Sequence, residues 1–234
     1  MFLGHYGVAF AAKRASPRTS LGMLVLAGEW LDHVWPVLVL LGVEHVRIVP
    51  GLMAANPLEF YDYPWSHGLV TSLGWSLLVG GVYFLVRRYG RGGLVVGAVV
   101  LSHWVLDLVV HRPDLPLWPD GPKLGLGLWS SVPATVLVEA AVFTLGITVY
   151  VRTTRPLDRI GRWGLVTIVA LLILIYLASS FGPPPQSVAQ LAWSSLLLLV
   201  FVPLAWWVDR HRMPRRAPEA IGTAPSPHVP AGAS

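Results

Sequence analysis

Long apolar runs alternate with short polar connections along this chain. Six runs are each long enough for a membrane-crossing helix, which needs about 20 mostly apolar residues: Leu21–Val43, Gly68–Val86, Gly93–Val110, Leu128–Val151, Trp163–Phe181 and Val188–Val208. Met1–Ala12 is apolar as well but too short to span. It does not read as a secretory signal, because Lys13, Arg14 and Arg18 follow it instead of preceding it. The connections alternate in charge. Basic residues crowd before the first run, between the second and third (Arg87, Arg88, Arg91), between the fourth and fifth (Arg152, Arg155, Arg159, Arg162) and after the sixth. The other connections carry no such excess. The pattern predicts an all-α polytopic membrane protein of about six spans over residues 1–208, with both termini cytoplasmic by the positive-inside rule. Residues 209–234, rich in Pro, Arg and Ala, are expected to form a disordered cytoplasmic tail.

Composition agrees. Of 234 residues 54% are hydrophobic and 12% charged, with a mean hydropathy of +0.61; soluble domains carry about 25% charge. The lipid bilayer is therefore the expected surrounding. The net charge of +5 is scattered over short loops and the tail, so it does not point to nucleic acid. With no cysteine, disulfides and thiolate metal sites are excluded.

The polar residues inside the apolar runs carry the chemistry. On a helix His103, Asp107 and His111 recur at i, i+4 and i+8, along one stripe. Glu29, Asp32 and His33 share a face of the first run, with Pro36 expected to kink the helix just beyond them. Glu139 lies inside the fourth run, His67 at the start of the second, and His5 in the short N-terminal segment. Each charge at a helix centre costs about 2.5–3.5 kcal/mol on insertion scales, so such residues face a bundle interior and mark function. The fifth and sixth runs hold no ionisable side chain, which predicts a polar site among residues 1–151 and makes the last two helices packing or partner surface. Histidines and carboxylates projecting inward from facing helices can hold a metal. The expected ligands are His5, Asp32, His67, His103 and Asp107, with Glu29, His33 and Glu139 as general bases or as supports behind them. His5 reaches the site only if its short segment enters the bundle. His111, at the end of its run, and His45 and Asp62 read as interfacial or loop residues. A mixed N/O set suits zinc best among divalent ions, with manganese or iron as alternatives.

These positions resemble the YdjM-like family of inner-membrane metal-dependent hydrolases, distantly like the zinc-dependent phospholipase C and P1 nuclease group. The resemblance lies in His5 with Gly7 after it, the acidic Asp32 of the first run, the Ser66-His67 pair, and Ser102-His103 with Asp107 four residues on. It covers about the first half of the chain. The stretch Gly28-Glu29-Trp30-Leu31-Asp32-His33 departs from the family's Pro-Asp-x-Asp run, and Trp65-Ser66-His67-Gly68 from its Thr-His-Ser. The resemblance implies those residues as metal ligands and hydrolysis of an ester or phosphoester, on a lipid-linked substrate. Two rivals follow from the residues themselves: a proton- or cation-coupled transporter using the same acids and histidines, and a non-catalytic scaffold with a degenerate metal site.

Overall fold

The computed structural model describes residues 1–215. Helices form along most of the apolar runs. Helix α1, Leu3–Ala15, is buried along most of its length and lies inside the bundle. Pro17 bars its continuation, and Lys13 and Arg14 sit in its last turn, where the helix dipole favours cations. It packs on α7 backbone to backbone: a Cβ on Gly146 would fall 2.0 Å from the carbonyl oxygen of Gly7. Small residues permit such contact between apolar helices, where packing replaces the hydrophobic driving force.

The first long run is not one helix. α2, Leu21–Gly28, begins at a Ser20 cap accepting from the Met23 amide at 3.2 Å. α3, Trp30–Leu40, continues after a 52° bend. The break falls at Gly28–Glu29, and Pro36 lies within α3. Gly28 is where α1 crosses: a Cβ there would meet the His5 carbonyl oxygen at 3.1 Å. The expected kink thus forms ahead of the proline, where a second helix crosses the span.

A two-stranded hairpin follows, β1 (His45–Ile48) antiparallel to β2 (Leu58–Asp62). His45 and Asp62, expected in a loop, stand instead on the two strands and pair across them at 2.7 Å in an exposed position. The short α4, Pro64–His67, delivers its last residue to the bundle, and Gly68 separates it from α5, Leu69–Arg87. α5 and α6, Gly90–Val110, form a hairpin closed on Gly80, Gly93 and Gly97. A small hairpin, β3 (Leu115–Pro116) with β4 (Lys123–Leu124), precedes α7, Val132–Thr153. β5, Thr154–Pro156, leads into α8, Arg159–Phe181. α9, Val188–Leu197, runs through a tight turn into α10, Phe201–Arg210. β6, Arg212–Pro214, pairs antiparallel with β5.

Five of these helical stretches are long and apolar enough to cross a membrane, six if α2 and α3 make one broken span. The chain is mostly helical, and the length and apolarity of these helices suggest a membrane protein. The first residues of the expected tail are ordered: Asp209 is buried on α10 and Arg212–Pro214 pair with β5. The remainder of that expectation, residues 216–234, lies outside the described residues.

Candidate metal centre

Three helices and one helix end bring the expected ligands together. His5 comes from α1, Asp32 from α3, His67 from the end of α4, and His103 and Asp107 from successive turns of α6. His5 and His103 are sealed, and Asp107 and His67 are nearly so. Asp32 opens toward a cavity, with its side chain about one-third exposed. Two overlapping triads result: His5, His103 and Asp107, and Asp32, His67 and His103.

The spacing suits an ion. His5 Nε2 lies 3.2 Å from Asp107 Oδ1, and His103 Nε2 3.2 Å from Asp107 Oδ2. His67 Nε2 is 3.4 Å from Asp32 Oδ1 and 3.6 Å from Asp107 Oδ2, while His103 Nε2 is 3.7 Å from Asp32 Oδ1. Tetrahedral ligands on arms of about 2.1 Å sit about 3.4 Å apart. The donor set, histidine nitrogen with carboxylate oxygen, fits zinc and related divalent metals.

The orphaned atoms make the stronger test. Both ring nitrogens of His5 and the Nε2 of His103 are buried with no hydrogen-bond partner among the described residues. Such atoms cost about 1–3 kcal/mol each. The His5 and His103 rings stack with centroids 3.6 Å apart, an arrangement that brings two basic edges toward one carboxylate. The α-amino group of Met1 also donates to Asp107 Oδ1.

The partners behind the ligands settle which nitrogen faces inward. His103 Nδ1 donates to the Gly28 carbonyl at 2.7 Å, which turns Nε2 inward, a donor nitrogen whenever the ring is neutral. The helix break therefore positions a ligand. His67 is held by a relay. Its Nδ1 lies 2.8 Å from Ser66 Oγ, and the Ser66 hydroxyl donates to Glu44 Oε2 at 2.6 Å. Glu44 Oε1 accepts from the Trp65 and Ser66 amides, each at 2.8 Å. Carboxylate-supported histidines of this kind are fixed in ring orientation and made more basic. Burial pushes the Glu44 carboxyl up, against the opposing pull of the Ser66 hydroxyl and amide. Neither Glu44 nor the supporting role of Ser66 was expected. The adjacent Ser66-His67 pair was the available signal, whereas Glu44 stands in a loop with nothing in its neighbours to mark it.

The expected bases divide. Glu29 and His33 are buried, without hydrogen-bond partners for their side chains, and both line the cavity. Glu139 is engaged instead: it accepts from the Phe2 amide and the Gly4 amide at 2.9 Å each, capping α1. It lines the cavity, as its place in the fourth run suggested, and makes no hydrogen bond to His33 or His103 among the described residues. His111 leaves the stripe because α6 ends at Val110 and His111 is extended. It binds Asp114 at 2.9 Å, lies 3.2 Å from the Tyr63 hydroxyl, and packs on Trp129, so it braces the outer loops.

A cavity of about 1110 Å³ opens onto Asp32, His67 and Asp107. Its walls include Ser179 and Ser180 of α8 and Ser194 and Ser195 of α9. The last two spans, expected to be packing or partner surface, thus also line the cavity, while the hydroxyls of Ser179, Ser194 and Ser195 donate to carbonyls of their own helices. Fold and site together define a polytopic helical bundle with a buried histidine–aspartate cluster at the inner end of a large cavity. No family model matches the chain, and no curated protein or solved structure is similar to it.

Proposed function

We propose that the protein is a metal-dependent hydrolase of the membrane, acting on an ester-type bond of an amphiphilic substrate. The observation that carries this reading is the inward-facing, unpartnered Nε2 of His103, set by its Nδ1 bond to Gly28 and surrounded by Asp32, His67, Asp107 and His5. His5, His67, His103, Asp32 and Asp107 would hold a divalent metal, zinc first and manganese or iron as alternatives. When bound, such an ion supplies a Lewis acid and brings water to a nucleophilic state near neutral pH. The chain's residues do the rest. Gly28 and the Glu44–Ser66 relay orient the imidazoles. Glu29 and His33, with free side-chain atoms on the cavity wall, are placed to accept a proton from water and return it to the leaving group. Glu139 fixes the N-terminal end of α1 and so the position of His5. The likeness of these residues to the YdjM-like family supports the same reading and would set the protein in the inner membrane of a prokaryote.

Elemental mass spectrometry of the detergent-purified protein tests it. Stoichiometric zinc, manganese or iron is expected in the wild type and absent from His103→Ala/Asp107→Ala. A wild type free of transition metal after purification without chelator, and still free after incubation with each ion, would sink the reading.

One observation favours a second reading, a cation-coupled transporter: α2 and α3 form a span broken beside the site, as in transporters whose discontinuous helices bind ions. Ion uptake by proteoliposomes, abolished by Asp32→Asn, would select it over hydrolysis.

A further inference from the structure

The cavity extends from the cluster to the last two long helical stretches. Leu191, Ser194, Ser195 and Leu198 line it from α9 and the turn after it, at three- and four-residue steps along one face. Ile175 and Ser179, one turn apart, line it from α8. These helices lean on different partners. α8 packs on α10 and α9 on α3, and the two scarcely touch each other. Ile175 packs with the apolar core around Phe10 and Phe201, and Leu191 with the one around Trp35 and Val100. A cleft is left between them, with Ser179 and Ser194 exposed on its two sides. α8 and the stretch Val188–Arg210 are both apolar and long enough to span, so the cleft opens sideways, toward lipid.

Its walls suit an apolar chain. The Ser179 hydroxyl donates to the Tyr176 carbonyl at 3.0 Å, and those of Ser194 and Ser195 to the Leu191 carbonyl at 2.8 and 3.0 Å. A serine bonded back to its own helix acts as a small side chain. It leaves width between helices and brings no unsatisfied donor to a hydrocarbon. Ile175 and Leu198 give the deeper part an apolar lining. Leu198 is ten residues beyond Val188, about 15 Å along the helix, which is half of a hydrocarbon core of about 30 Å. The cluster lies just inside the end of a span: Asp107 and His103 stand three and seven residues before the end of α6, about 5 and 10 Å. In a lipid the bond between chain and head group lies at the edge of the hydrocarbon core. A chain running along the cleft from Leu198 brings that bond to the level of the cluster.

We infer that the cleft between α8 and α9 is a lateral entrance from the bilayer and the seat of one acyl chain of a lipid. That this lipid is the substrate rests on the hydrolase reading; the seat for the chain does not. The chain is what the cleft recognises, and the head group meets the cluster.

Photo-crosslinking tests it. The full chain, in nanodiscs of phosphatidylcholine, carries p-benzoylphenylalanine in place of Leu198, in the cleft, or of Leu174, which is exposed on α8 outside the cavity lining. Mass spectrometry after irradiation reads which molecule is captured. Lipid is expected at both positions. Ser195→Phe, which fills the cleft, should lower capture at Leu198 severalfold and leave capture at Leu174 and the metal content unchanged. Ser195→Leu, a smaller filling, should act in the same direction, and Ser195→Ala should change nothing. No lipid at Leu198, lipid capture there that neither filling reduces, or capture of a second copy of this chain in its place overturns the inference. Cleavage is read separately, as release of fatty acid or of a phosphorylated head group from zwitterionic, anionic and neutral lipids in turn. Capture in the cleft with no release by metal-loaded protein would sink the hydrolase reading and leave the chain seat standing. Release that Ser195→Phe leaves unchanged overturns the lateral entrance and keeps the hydrolase reading. Release slowed by Ser195→Phe with metal content intact supports both.

Discussion

Two clusters of buried polar side chains lie in this bundle, and they differ in one respect. Toward one end, Lys13 donates to Asp209 at 2.6 Å and to the Thr19 carbonyl at 2.9 Å. Asp209 also accepts from the Tyr150 hydroxyl at 2.8 Å and the Leu21 amide at 3.0 Å. Every charged atom there has a partner of opposite character. In the other cluster, His5, His103, Glu29 and His33 present buried atoms with no hydrogen-bond partner among the described residues. Both clusters are ionisable, buried and built from residues far apart in sequence. The completed one ties α1 to α10 and to the start of α2, and its chemistry is finished. The incomplete one has donor atoms spaced for an ion and a cavity leading to it. Incompleteness, more than polarity, separates a site from a strut in the interior of a membrane protein.

The comparison can be broken or sharpened by experiment. The largest effect is expected in the completed cluster. Asp209→Ala leaves Lys13 buried and unpaired, and breaking such a pair costs about 3–5 kcal/mol. Denaturation in mixed micelles should show that loss, while the metal content of the folded fraction stays unchanged. Removing the ion from the other cluster should cost less. With free metal at a hundredfold excess over its dissociation constant, binding adds about 2.7 kcal/mol. A chelator should therefore lower the thermal midpoint of the wild type and leave that of His103→Ala in place. If the chelator shifts neither, the two clusters are alike and the comparison fails.

Glu44→Gln should come next. It preserves an acceptor for the Ser66 hydroxyl but removes the charge behind His67. Loss of such support weakens metal binding about 10- to 100-fold, and a metal titration against a competing chelator would measure it. An unchanged affinity would make Glu44 merely a loop brace. The smallest effect belongs to an exposed position. Asp158 caps α8, accepting from the Gly161 amide at 2.9 Å, and pairs with His211 at 2.6 Å. These bonds, the amide first, hold its carboxyl below the ordinary value of 3.8. A depressed carboxylate stabilises the fold above its unfolded value and loses that contribution as the pH falls through the folded one. Asp158→Asn should be slightly less stable at neutral pH, with the difference closing below pH 3.8. Thermal denaturation at both pH values would show it.

Much of the fold is visible in the sequence because the membrane leaves few choices: long apolar runs must be helices, and they read as such. His103 and Asp107 are equally plain, since four residues on a helix bring two side chains to one face. Other features depend on distant partners. The break at Gly28–Glu29 falls where α1 crosses, and the Gly-Glu pair by itself does not announce a crossing. Glu139 looked free because its own helix offers it no cation, yet it is taken by amides 137 and 135 residues earlier. Glu44 supports His67 through a serine 22 residues on. His111 kept its helical spacing on paper, while the helix stopped one residue before it.

The close contact between Gly7 and Gly146 has a consequence for biogenesis. α1 is synthesised well before α7, the helix it must touch. At 5–20 residues per second, roughly 7–27 s of translation separate Gly4 from Glu139. Through that interval α1 is too short to hold a transmembrane position by itself, and Glu139 is not there to cap it. His5 is therefore among the earliest of the candidate ligands to be made, and its seat is completed only after the others have emerged. An ion arriving earlier would meet a partial set of ligands, so full metal affinity should appear only once the fourth long helix has been inserted.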